Sequence, residues 1–334
     1  MRMLIKILVV VCFISCQQDR LDIPVPKNGV KITMQRFDKE IFNTAIDSLN
    51  IYHPLWHKKY GEFYERYVEN ILRLGLANDP ALGYHFSHFL NDKYVKELYQ
   101  DCAKKYAEIT SIEQQLSNAF NYYRHYFPDK KIPEVLTYIS GMQYKVVVTP
   151  KTLGIGLDMF LGSNYENYSK SGFPKYLIQS MNPENLVPDA IRGWISTEFD
   201  YETDPKDLLT AFVRQGKIMY VTDALLPHTP DSLKIAYTKN QLIWCKANEF
   251  EIWAHFVDEQ LLYNSSEKKM AQYLSEGPFT SGFQKESPSR IGVWVGWKIV
   301  RSFMNNNPNV SLAELMKMDN AQVLLKKSKY KPKK

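Results

Sequence analysis

Cys16 is the residue whose surroundings call for the most specific chemistry. It closes a run that starts Met1-Arg2-Met3, is apolar from Leu4 to Ile14 apart from Lys6, and ends Phe13-Ile14-Ser15-Cys16. A charged start, about eleven apolar residues and a small residue before the cysteine are the parts of a secretory signal. A spanning helix needs about twenty. Cleavage before Cys16 would free it for acylation by palmitoyl-type chains, as at a bacterial lipobox, although Phe13 stands where Leu is usual. Several acyl chains anchor firmly where one binds only reversibly. An ordinary signal peptide cut elsewhere is the alternative.

Other residues have metal-like or acid–base spacing. His53 and His57 lie four apart, but Pro54 occupies the place where a zinc-peptidase HExxH helix carries its general-base glutamate. Ion binding without water activation is the most that pair offers. His85 and His88 sit three apart in a Tyr/Phe-rich stretch that reads as packing. Glu251, His255, Asp258 and Glu259 recur at helical offsets along one face. They form a candidate polar cleft or weak metal site, or the solvated side of an amphipathic helix. Gly154-Ile155-Gly156 lacks the third glycine of a dinucleotide loop. Gly292 and Gly296 make a GxxxG spacing that would let another helix approach closely. Arg290, Lys298 and Arg301 keep that segment from being a membrane span.

The elements that must position these residues follow from periodicity. Phe63, Tyr67, Ile71 and Leu74 mark one helical face, and Leu116, Phe120, Tyr123 and Phe127 another. Short strands are expected at 135–139, 144–149 and 153–157, with a turn at Gly141-Met142. Gly154 and Gly156 suit close backbone approach or an edge strand. Helical spacing resumes near Asn185, and the capping box at Thr238 and Gln241 predicts a helix over 239–263. Residues 17–30, with Pro24 and Pro26, read as an extended tether of at most about 48 Å. The lysines at 326, 327, 329, 331, 333 and 334 form a basic tail, either solvated or attracted to anionic lipid or wall polymer.

Composition limits the remaining choices. The chain is 45% hydrophobic and 23% charged, which excludes a disordered or fibrous polymer. Its net charge of +6, falling to +4 once Arg2 and Lys6 leave with a cleaved leader, comes without a basic–aromatic stripe and gives nucleic acid no footing. Cys102 and Cys245 remain in the body of the chain, to pair or to stay free.

Several ordered stretches together resemble the GldB family of gliding-motility lipoproteins. They are Arg36-Phe37-Asp38-Lys39, Tyr126-Phe127-Pro128, Gly156 to Gly162, Leu225-Leu226-Pro227, Trp244-Cys245, Glu286 to Gly292, Gly296-Trp297-Lys298-Ile299-Val300-Arg301 and Lys327 to Pro332. The resemblance implies a zincin-like α+β fold, predominantly α-helical, with one short, small β-sheet. In such a fold a strand near 154–161 precedes a metal-binding helix near 188–198. That helix here carries no histidine, so the zinc-binding motif is missing and a non-enzymatic pseudo-enzyme scaffold is expected, with no cofactor. The expected organisation is a signal peptide over 1–15, a lipid-anchored tether over 16–30, one domain over 31–325 and a basic tail over 326–334. The implied role is an envelope component facing the periplasm, in either membrane, assembling with motility and secretion proteins. The alternatives are a metallohydrolase with atypical ligands and a ligand- or glycan-binding module.

Overall fold

The structure, a computed structural model, describes residues 20–199, 201 and 203–334. The signal segment and Cys16 lie outside the described residues. The architecture is α+β and mostly helical, around one four-stranded sheet. The strands are β1 (Gln35–Arg36), β2 (Glu134–Tyr138), β3 (Val146–Val148) and β4 (Thr152–Gly156), in the order β1-β2-β4-β3. β1 and β4 run parallel to β2, and β3 runs antiparallel to β4. The two-residue β1 gives too short a pattern to read from sequence.

Alternation along β2 divides the interior in two. Val135 and Ile139 enter the main core, whereas Leu136 and Tyr138 face an aromatic cluster with Phe37, Trp56, Phe63, Tyr64, Tyr67 and Phe86. Gly154 belongs to β4, which is an inner strand and not an edge. A Cβ on it would sit 2.5 Å from the Phe63 ring, so its glycine serves close packing. The strand ends at Gly156, and Leu157–Met159 is a 3-10 turn instead of continuing to 161. The Asp158 carboxylate, fully buried, accepts from Ser140 N, Ser140 Oγ and Met142 N, fixing a turn in which Gly141 and Met142 both take positive φ.

The main core is built on two long helices, Leu208–Leu225 and Ile291–Asn306. They cross where side chains are smallest. A Cβ on Gly216 would lie 2.1 Å from the Gly296 carbonyl oxygen, and one on Gly296 would lie 1.7 Å from that of Phe212. Gly292 lies under the Phe212 ring.

Three expected elements differ. The helix over 239–263 is broken at Asn248 into Lys239–Ala247 and Glu249–Asp258, followed by a 3-10 turn at Leu261–Tyr263. Asn248 caps the first helix, its backbone N–H and its side-chain amide both donating to the Trp244 carbonyl. Val257, near the end of the second of these helices, is exposed. At the C terminus, Lys326 and Lys327 belong to the helix Ala321–Ser328. Tyr330 packs on Trp253 and donates to Glu249 at 3.0 Å, so the chain stays docked past 326.

The third difference is the tether. From Arg20 to Met34 the chain is extended, but it lies along the helix Thr110–Tyr126 as a strap. Tyr122 donates to Ile23 O at 2.8 Å, Asn121 Oδ1 accepts from Asn28 N and Val30 N, Ser117 Oγ from Ile32 N, and Glu113 Oε1 from Met34 N. Polar side chains of the helix thus satisfy a backbone that has no strand partner there. Arg20 donates to Met304 O at 3.2 Å and Val310 O at 2.9 Å, and Leu21 is buried.

Candidate functional site

Charged residues from three helices meet beneath the strap. Asp223 is two residues before the C-terminal end of helix 208–225. The turn Pro227-His228-Thr229-Pro230 leads from there into the short helix Asp231–Ile235, which carries Asp231 and Lys234 three apart. Trp297 and Arg301 lie four apart on helix 291–306, so both point to one side.

The Arg301 fork engages both carboxylates. Nε and Nη2 donate to Asp223 at 2.7 and 2.8 Å, and Nη1 and Nη2 to Asp231 at 2.7 and 2.8 Å. Lys234 donates to the other face of Asp223 at 3.0 Å and lies 3.8 Å from Asp231. The Trp297 indole N–H completes Asp223 at 2.7 Å, while its ring stacks 3.9 Å under the guanidinium. Burial opposes the charge on Arg301, but the bonds to Asp231 and Asp223 outweigh it and hold its pKa above the ordinary value. Burial alone would raise the Asp231 pKa, and Arg301 brings it below the usual carboxylate range.

A second group of three charges supports this cluster from the side of the sheet. Arg192, on the helix Leu186–Glu198, donates to Lys234 O at 2.6 Å and to Asp189 at 2.7 Å. Lys145, just before β3, meets the other oxygen of Asp189 at 3.1 Å. Asp189 is buried, which alone would raise its pKa, yet Arg192 and Lys145 hold it below the usual range.

Above the cluster opens a cavity of about 860 Å³, whose walls include Arg20, Asp22, Tyr220, His228, Lys234 and Arg301. The strap supplies the first two, so the N-terminal segment is part of the cavity wall. Asp223 and Lys234 form its floor with side chains 4% exposed, while Arg301 and Asp231 are 29% and 26% exposed toward its opening.

The candidates named from spacing lie elsewhere. Glu251, Asp258 and Glu259 are exposed on or beside helix 249–258, while His255 turns toward Tyr273, whose hydroxyl lies 3.0 Å from its Nε2. Among the described residues no three His, Cys, Asp or Glu side chains are placed to hold a metal ion. His53 is buried against the Tyr64 hydroxyl, and His57 pairs with Glu65 at 2.7 Å, so the two rings serve different partners. Both rings of His85 and His88 contact Tyr84. Cys102 and Cys245 are buried free thiols whose pKa values burial pushes up.

Asp223, Asp231, Lys234 and Arg301 escape a reading by motif because Asp223 and Arg301 are 78 residues apart and each looks like an ordinary helical charge. The signals present were Arg301 one turn after Trp297, and the turn-forming prolines at 227 and 230.

Among the described residues no helix is long and apolar enough to cross a membrane. Comparison with curated proteins finds no match. Comparison with solved structures also finds none. A family model described as gliding motility protein GldB matches residues 18–332, taking in the strap, the sheet and every member of the charged cluster. On that match the chain belongs to the GldB family of gliding motility proteins.

Proposed function

We propose that this chain acts as a lipid-anchored, non-catalytic component of the cell envelope, serving gliding motility and its associated protein secretion by binding partner proteins. One observation carries the reading: the two buried carboxylates of the cavity floor and its supporting helix are committed to fixed cations. Asp189 is held by Arg192 and Lys145, and Asp223 by Arg301, Lys234 and Trp297. A general base needs a lone pair within reach of the proton it abstracts. Carboxylates bound on both oxygens brace helices instead.

The zincin-like ancestry belongs to this proposal. It draws support from the small mixed sheet with antiparallel β3 outermost and helix 186–198 packed against β3 and β4. At that helix Asp189 and Arg192 pair with each other. The anchor at Cys16 is part of the same reading and follows from the lipobox spacing.

The test is a deletion strain, complemented with wild type or with the Cys16→Ser variant. Loss of colony spreading and of surface-adhesin export, restored only by wild type, is the expected result. Normal spreading and export in the deletion strain would refute the proposal.

A further inference from the structure

The start of the strap and the basic tail come together at one place. Arg20 donates to Met304 O at 3.2 Å and to Val310 O at 2.9 Å, at the C-terminal end of helix 291–306. The helix Ala321–Ser328 is tied to the same end. Ser302 Oγ and Asn306 Nδ2 donate to Ser328 O at 2.7 and 2.9 Å, and Asn307 Nδ2 donates to Lys327 O at 3.3 Å. Met304 and Asn307 are one helical turn apart, so the Arg20 guanidinium lies within roughly 15 Å of the Lys327 carbonyl.

The lysines here differ from those of the charged cluster. Lys234 and Arg301 are matched by Asp223 and Asp231. Lys326, Lys327, Lys329, Lys331, Lys333 and Lys334 are all exposed, and residues 320–334 contain no Asp or Glu. Among the described residues none of these lysines forms an ion pair. Glu249, which the Tyr330 hydroxyl reaches, already pairs with Lys298 at 3.2 Å. On the strap Arg20 and Asp22 offset one another, so the charge at this end of the molecule rests on the tail. The tail is also held in place. Tyr330 N donates to Ser328 Oγ at 3.0 Å, and its ring lies 5.2 Å from that of Trp253.

Four residues separate Arg20 from Cys16, a reach of at most about 14 Å. Acyl chains on Cys16 would therefore keep this end of helix 291–306 beside the headgroup layer, and the lysines with it. A lysine near an anionic lipid surface strengthens binding about fivefold, and several on one side of a body add up. We propose that the tail lysines form a membrane-facing surface that binds anionic phospholipid headgroups beside the protein's own anchor and so fixes which end of the molecule faces the lipid. The inference rests on the lipid-anchored reading above.

The experiment places full-length acylated protein on vesicles of phosphatidylcholine, with or without phosphatidylglycerol. It reads the rate at which a water-soluble reagent acetylates each lysine. Phosphatidylglycerol should slow modification of the tail lysines about fivefold. Lys58, exposed on the helix Leu49–Tyr60 across the sheet, should react at an unchanged rate. The slowing should vanish at about 1 M salt, where screening acts within roughly 3 Å. A triple variant, Lys331→Gln, Lys333→Gln and Lys334→Gln, should weaken the protection of Lys326, Lys327 and Lys329. Equal rates on both vesicles, equal slowing of Lys58, or protection that survives high salt overturns the surface. Slowing by a soluble anionic wall polymer, with none on phosphatidylglycerol, overturns the lipid in favour of the polymer. Flotation with phosphatidylcholine vesicles reports the anchor by itself, so failure of the anchor and failure of the tail are distinct.

Discussion

Arg301 meets two carboxylates with one planar fork, and no lysine reproduces that geometry. Replacing it with leucine would leave Asp223 with Lys234 and Trp297 alone and expose Asp231 to an unscreened neighbour. The expected loss is roughly 3–5 kcal/mol, the cost of breaking a buried pair from one side, and urea unfolding measures it. His53 makes a separate prediction. Burial lowers its pKa from 6.5 to about 4, so the folded chain keeps it neutral where an unfolded chain takes up a proton. Between those values the unfolded state binds more protons, and stability falls as pH falls through the window. The full loss is about 3 kcal/mol. Asp189 and Asp231, held below the usual carboxylate range, add further loss at lower pH. A His53→Gln variant should show a flatter dependence of its urea midpoint on pH from 6.5 to 4. An unchanged slope would assign the acid lability to other groups.

Between elements, the crossing of helices 208–225 and 291–306 has no space for a methyl group. Gly296→Ala would press a Cβ into the Phe212 carbonyl and force the helices apart. Overpacking of this kind costs about 3 kcal/mol or more, visible as a lowered urea midpoint with unchanged slope. Here the sequence was readable, because a GxxxG spacing states the need for close approach without naming the partner. The capping box at Thr238 was readable too, and both of its hydrogen bonds are present. The three short strands were found within one or two residues at most ends, since β-branched runs between turn residues are a local signal. What local pattern does not carry is the break at Asn248, which caps the first helix on the Trp244 carbonyl. Nor does it carry the charged cluster, which exists only once residues from 189 to 301 are folded together.

For the whole molecule, composition and proline content describe residues 17–30 as an extended tether that buries no core, whereas Leu21, Ile32 and Met34 of the segment 20–34 join the main core, and the pattern says nothing of what lies beneath them. The helix 110–126 offers Glu113, Ser117, Asn121 and Tyr122 on one side, and these bind the strap. Asn121 alone bonds to Asn28 and Val30 through both side-chain ends. An Asn121→Ala variant should leave the fold intact and loosen the strap, losing about 1–3 kcal/mol. Hydrogen exchange at the amides of Asn28 and Val30 should then speed up while the core of helix 208–225 stays protected.

The direction of that strap has a mechanical consequence. Its residue numbers rise as those of helix 110–126 fall, from Ile23 at Tyr122 to Met34 at Glu113, and it continues directly into β1. Were the chain moored at Cys16 as proposed, a pull along this line would strain the rungs side by side in shear, instead of peeling them singly. Traction on such an anchor would then pass straight into the sheet, as through a line spliced to the hull and not merely tied to it.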